Sequence, residues 1–155
     1  MVENIIKTIM RKFPNGVAIA TTSWKDTLFG MTVNTFNSLS LNPPLIYFVA
    51  DKTVSNDIPF RESDYFAINL VDNVQILDLF AREKNIEERF RKVKFRRGIG
   101  NIPILEESYA YFEAQLYDVV DEGDHAIIVG KVLSGTLIRE PKPVVYYDRG
   151  YHFII

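Results

Sequence analysis

The chain has 155 residues, 47% of them hydrophobic, and a formal net charge of −2. That is the size of one domain, expected over residues 1–155, and the balanced charge gives no reason to expect nucleic acid or an anionic membrane as a partner. Cysteine is absent, which excludes disulfides, thiolate nucleophiles and iron–sulfur clusters.

Taken in order, the chain opens on MVENIIKTIMRKF, an amphipathic helix pattern rather than a signal peptide. No later run approaches the ~18 apolar residues that span a bilayer, so a soluble cytoplasmic protein is expected. Val17–Ser23, after the turn signal Pro14-Asn15-Gly16, reads as a strand, and Leu28–Val33 follows across the Trp24-Lys25-Asp26 turn. Leu45–Ala50 is a continuous apolar run that predicts a fully buried strand, and Tyr65–Val71 alternates up to Asp72-Asn73. The period then changes. Val74, Leu77, Phe80 and Ala81 lie at helical spacing behind a cap at Asp72 or Asn73, and Asn85 caps a second short helix over Ile86–Val93. The β pattern returns over Tyr109–Val120, Ala126–Ile138 and Val144–Tyr147. About seven strands with two or three short helices place the chain in the mainly β class, and a small antiparallel β-barrel would leave no exposed edge.

The stretch GMTVNTFNSLSLNPP, Gly30 to Pro44, carries the strongest local signal. Read as a strand and its turn, it puts Thr32, Asn34, Ser38 and Ser40 on one face, with Met31, Val33, Leu39 and Leu41 on the other. A face meant only for water would carry Lys or Glu, whereas small hydroxyls and amides suit a planar, polar-edged ligand close to the backbone. The plainer reading is an edge strand with Thr and Ser chosen for β propensity and turns.

Other chemical signatures are missing. There is no P-loop, and Gly98-Ile99-Gly100 lacks the third glycine of a dinucleotide fingerprint. His125 and His152 have no metal-ligand spacing around them, and no serine sits in a nucleophile elbow. An enzyme of this composition would take its chemistry from a bound cofactor.

The order FPNGVAIATT, GMTVNTFNSLSLNPPLIYF, DKTVSND, GDHAIIVGKV and PVVYYDRGYHF resembles the flavin reductase-like family from about Phe13 to Phe153. The resemblance implies an FMN-binding split barrel of Greek-key type with a few short helices. Within the family the chain is most similar to short reductase components of two-component flavin-dependent monooxygenases, notably of 4-hydroxyphenylacetate 3-monooxygenase. That implies a homodimer with flavin near the subunit interface. It also implies hydride transfer from NADH, or NADPH, to FMN or FAD, and release of reduced flavin to a separate oxygenase component.

Carried over by residue, Thr32, Val33, Asn34 and Thr35 match the segment along the isoalloxazine edge, and Ser38 and Ser40 the hydroxyls near the ribityl chain. Asp51, Lys52, Thr53, Ser55 and Asn56 match the phosphate segment, with Asn56 where the family often has a second hydroxyl. Lysine and turn N–H groups suit a phosphate dianion, although a turn lysine is ordinarily just solvated. Ala81 and Arg82 match the helix end beside the flavin tail, where an arginine is also a plain dipole partner. From Arg82 to Arg97 eight Lys or Arg face three Glu, a solvated helix face or an attractor of anions. His125, in Gly123-Asp124-His125, matches the nicotinamide side. Hydride transfer needs no protein base, so no catalytic residue is expected, and His125 positions the rings. Tyr147, Arg149 and Tyr151 close the set as nucleotide contacts, with Tyr146 as a core residue. The family often reads Tyr-Tyr-Arg-Gly-x-Tyr where this chain has Tyr-Tyr-Asp-Arg-Gly-Tyr. Two other readings stand beside the reductase: an electron carrier that keeps its flavin, and a flavin-free barrel for an apolar ligand.

Overall fold

The β-branched run after Pro14-Asn15-Gly16 forms strand β1 (Ala18–Trp24), which turns back as β2 (Thr27–Val33) with every residue of the two in register. The computed structural model describes residues 1–155. Ahead of β1 lies helix α1 (Val2–Met10). After β2 come β3 (Asn37–Leu41), β4 (Pro44–Asp51), a 3-10 turn (Lys52–Val54), α2 (Ile58–Arg61), β5 (Tyr65–Val71), α3 (Val74–Arg82) and α4 (Ile86–Arg91). The small hairpin β6 (Phe95–Arg97) and β7 (Pro103–Leu105) precedes the long strands β8 (Ser108–Glu122) and β9 (His125–Leu137). The chain ends in a second hairpin, β10 (Val144–Tyr147) and β11 (Gly150–Phe153). Seven strands make one antiparallel sheet in the order β2-β1-β5-β8-β9-β4-β3, and the two hairpins stand apart from it.

Alternation decides which side chains enter the core. Ala20, Met31, Phe48, Phe66, Ile68 and Ile128 fill the interior of the sheet with Phe60 of α2. Phe48, Phe60 and Phe66 meet edge to face, with centroids 4.9, 5.3 and 6.2 Å apart, the arrangement aromatic quadrupoles favour. On the other face Ile19, Val71, Leu77, Phe80, Phe90 and Leu105 seat α3 and α4 against β1 and β2. Asn73 caps α3 by accepting from Ile76 N at 3.2 Å, and Asn85 caps α4 by accepting from Glu87 N and Glu88 N. The buried Asn69 amide donates to Ile19 O and Thr21 Oγ1 and accepts from Leu105 N, pinning the small hairpin to the sheet.

The mainly β, antiparallel reading holds, as do Tyr65–Val71, Val144–Tyr147 and both helix caps. Gly30–Pro44 is not one strand, however. β2 stops at Val33 and β3 starts at Asn37. Leu39 and Leu41 are exposed instead of facing inward. β3 is an edge strand bonded only to β4, and a bulge between Ser38 and Ser40 breaks its alternation. β4 is buried on one face only, leaving Tyr47 and Val49 half-buried. The short elements α2, β6, β7 and β11 were not expected, since three or four residues show no period and these lack the β-branched run that marks Val144–Tyr147.

Candidate functional site

Where β2 ends, the chain meets α3 and the C-terminal hairpin around a cavity of about 390 Å³. Thr32 and Asn34 line it from the β2 side, Asp78, Ala81 and Arg82 from α3, and Tyr146, Arg149, Gly150 and Tyr151 from the hairpin, with Val17 at its floor. The β2 wall is fixed by two links. Thr32 Oγ1 donates to Leu77 O at 2.6 Å, and the buried Arg89 guanidinium donates to Gly30 O and Glu83 O, both at 2.7 Å. Glycine is required at position 30, since a Cβ there would lie 2.9 Å from the Phe80 and Phe90 rings. Val33 turns its side chain into the core, so only its backbone is open to a ligand.

Thr35 joins this wall to β4. Its hydroxyl accepts from Val49 N at 2.9 Å and donates to Val49 O at 3.2 Å, standing in for a strand partner across the gap between β2 and β3. Asp51 lies two residues beyond Val49, roughly 7 Å along the strand. There its carboxylate accepts from Thr53 N at 2.8 Å and Thr53 Oγ1 at 2.6 Å. Those bonds, with the nearby His125, hold the Asp51 carboxyl below its ordinary range. Ser55 closes the turn in the left-handed region at φ 61°. Lys52 Nζ faces Asp121 at 3.4 Å. His125 sits opposite Asp51 in the β4–β9 register, with Nδ1 2.7 Å from Asp124 Oδ1.

The expected site residues therefore form two neighbouring groups. Thr32, Asn34, Ala81, Arg82, Arg149 and Tyr151 surround the cavity. Asp51, Lys52, Thr53, Ser55, Asn56 and His125 gather where β4 ends and β9 begins, and Ser38 and Ser40 lie on β3. Tyr147 packs its ring against His152 instead of lining the cavity, and Tyr146 takes that place while also contacting the α3 core. Tyr146 and Tyr151 are cross-strand partners with rings 5.5 Å apart, a pairing hidden from the sequence because β11 was unread. Asp78 was also missed. It sits one turn before Arg82 and pairs with it at 2.8 Å, a spacing that ordinarily signals only helix stabilisation.

Burial, then the Asp78 charge, pushes the Tyr151 phenol up to about 12, so it stays protonated at neutral pH and offers a hydrogen. Arg149 is in no ion pair, and the Ser38, Ser40 and Ser55 hydroxyls and the Asn34 and Asn56 amides have no hydrogen-bond partner within the chain. The arrangement thus combines a fixed frame (Thr32, Thr35, Asp51, Thr53) with free donors and acceptors at the cavity, on β3 and in the turn after β4. That is what a polar-edged ligand with an anionic tail requires.

A model of the flavin reductase like domain matches residues 10–154. The reductase component of the flavin-dependent trigonelline monooxygenase of Acinetobacter baylyi is 37% identical over 127 residues, 80% of this chain. The chain spans only 40% of that relative's length. HsaB, the reductase subunit of a flavin-dependent monooxygenase of Rhodococcus jostii, is 30% identical over 145 residues, covering 94% of this chain and 74% of that one. Among solved structures, the flavin reductase HpaC complexed with NADP+ shares 57% identity with a TM-score of 0.95, over 99% of this chain and 98% of the other.

Proposed function

The chain belongs to the flavin reductase-like family, and we propose that it is an NAD(P)H:flavin oxidoreductase that reduces FMN or FAD and passes the product to a flavin-dependent oxygenase. The observation that carries this reading is a division of labour in both groups. At the cavity Thr32 bonds to the chain itself while Asn34 and Arg149 remain free, and toward β3 and the end of β4 Thr35, Asp51 and Thr53 hold the frame while Ser38, Ser40, Ser55 and Asn56 remain free. These residues fit a flavin: the Thr32–Thr35 backbone along the ring edge, Ser38 and Ser40 toward the polyol, and the Lys52–Asn56 turn and Arg82 toward phosphate. Bound flavin would supply a two-electron acceptor for the hydride that leaves C4 of the dihydronicotinamide. The protein's own part is positioning. Thr32 spends its hydrogen on Leu77 O and offers only lone pairs. Tyr151 keeps its proton and donates. His125 orients the nicotinamide side, Tyr146 and Tyr151 take the aromatic place expected of Tyr147, and no side chain is needed as a base. The similarity to reductase components of flavin-dependent monooxygenases supports an oxygenase as receiver, and the sequence resemblance favours one of the 4-hydroxyphenylacetate 3-monooxygenase type. The wholly exposed apolar face of α1, with Ile5, Ile6 and Ile9, supports a homodimer. No helix is long and apolar enough to cross a membrane, which accords with a cytoplasmic site of action.

The test is anaerobic mixing of the protein with NADH and excess FMN, followed at the flavin absorbance band. Multiple turnover is expected. Bleaching of a single equivalent would replace the reductase by a carrier that keeps its flavin. Bound but unreduced flavin would remove the nicotinamide site, and failure to bind flavin would remove the reading altogether.

A further inference from the structure

The C-terminal hairpin belongs to no larger sheet. Its only β contact with the rest of the chain is the Asn15–Tyr146 bridge, with backbone bonds of 2.8 and 3.0 Å. Its tip is a two-residue turn, Asp148-Arg149, with φ of 50° and 63°. Two left-handed residues match the twist of a tight hairpin, and the second is ordinarily glycine. An arginine stands there in place of the usual glycine, so a guanidinium is carried at the tip of the hairpin. Arg149 also lines both the site cavity and a second cavity of about 270 Å³, where Lys7 stands with the paired Arg11 and Asp148.

What holds this turn is Asp148. Its carboxylate meets Arg11 at 2.9 and 3.0 Å and Lys12 Nζ at 3.0 Å, and its backbone N–H donates to Arg11 O at 2.9 Å. Residues far apart in sequence are thus clamped at the one point that aims Arg149. We infer that Asp148 is a positioning residue: by tying the hairpin turn to the end of α1 it holds Arg149 at the wall shared by the two cavities, where the guanidinium meets a phosphate group of the pyridine nucleotide. This rests on the reductase reading for its ligand, and on the ion cluster alone for its mechanics.

Two measurements on Asp148→Asn separate those parts. Asparagine keeps the left-handed turn preference while removing the charge. Hydrogen exchange of residues 144–153 should accelerate while the β5 and β8 amides stay protected. The KM for NADH should rise about three- to tenfold, as expected for loss of an exposed multi-charge contact, with kcat and the KM for FMN within about twofold. Arg149→Gly should raise the KM for NADH by itself, and adding Asp148→Asn to it should change little more, since both act through one side chain. The charge swap Arg11→Glu, Lys12→Glu, Asp148→Lys should restore protection of the hairpin. Unchanged exchange in Asp148→Asn would overturn the clamp. Faster exchange with the KM for NADH unmoved, or with the KM for FMN rising equally, would overturn the positioning role. A wild-type protein that never oxidises NADH would instead sink the reductase reading and leave the exchange result to decide the clamp.

Discussion

Along the β2 side of the cavity the chain is held by buried contacts: Phe80 against Phe90, Arg89 on Gly30 O, and Thr32 on Leu77 O. The hairpin side adds to the half-buried packing of Val144, Tyr146 and Tyr151 on the α3 core a set of charges nearer the surface. Asp72 grips the base of the hairpin through Arg139 at 2.7 and 2.9 Å and Lys142 N at 2.9 Å, and Asp148 grips its tip. Buried packing persists through changes of salt and pH, whereas exposed ion pairs weaken with both. The same cavity therefore has one wall set by the core and one wall set by the solvent conditions. On the proposed reading, the β2 side offers a flavin ring a preformed surface, and the hairpin side is the one expected to yield as the nucleotide enters and leaves.

The largest effect expected from breaking this asymmetry is Phe80→Ala. Phe80 is fully buried and is the contact through which α3 rests on β2. Removing its ring should cost about 3–5 kcal/mol, read as a lower denaturation midpoint. Activity should fall for flavin and nucleotide together, because Asp78, Ala81 and Arg82 move with the helix. A stable protein with only the nucleotide KM altered would show that the core does not set this wall.

Acid should act on the opposite wall. The Arg139 guanidinium, with the Lys142 N–H, holds Asp72 down to about 2 against its ordinary 3.8. Lys12 and then Arg11 hold Asp148 below its usual range as well. The Asp72 tether is present above its ordinary carboxylate range and is lost as the pH falls toward 2, and the Asp148 tether weakens in the same direction. Asp72, whose side chain is 9% exposed against 45% for Arg139, contributes about 1–2 kcal/mol in that window. At pH 3 the amides of residues 144–153 should exchange faster than those of β1, β5 and β8, and Asp72→Asn should reproduce the effect at neutral pH. Simultaneous loss of hairpin and sheet protection would mean that the two walls unfold as one.

The sequence exposed these walls unequally, and for the same reason. Strands of the main sheet and the capped helices announce themselves by period and by Asn73 and Asn85, so the β2–α3 wall was legible almost to the residue. Thr32 and Asn34 were picked out as a polar face, and the structure keeps them together at the cavity. Their expected continuation to Ser38 and Ser40 failed because the break at 34–36, bridged by the Thr35 hydroxyl, is a tertiary fact with no local signature. The hairpin wall was half-legible. Val144–Tyr147 carries two β-branched residues and two tyrosines, whereas the equally short β11 opens on glycine and has no β-branched residue, and the links of Asp72 and Asp148 cross 67 and 137 positions. Ion pairs at such separations leave no pattern in one sequence.

The smallest effect isolates the joint between β2 and α3. Thr32→Val keeps the side-chain volume and the strand preference and removes only the hydroxyl that donates to Leu77 O. One neutral hydrogen bond is worth about 1 kcal/mol, so the denaturation midpoint should fall slightly and the fold should survive. The kinetic consequence follows from which wall the bond serves. Leu77 precedes Asp78 on α3, so slack at this joint shifts the β2 end against the helix and loosens the face proposed to take the flavin ring. The KM for FMN should rise severalfold with the KM for NADH nearly constant, the mirror image of Asp148→Asn. Should Thr32→Val instead loosen the hairpin amides or raise the NADH KM alone, the cavity would have to be treated as one coupled enclosure, with the core and the surface charges setting both walls together.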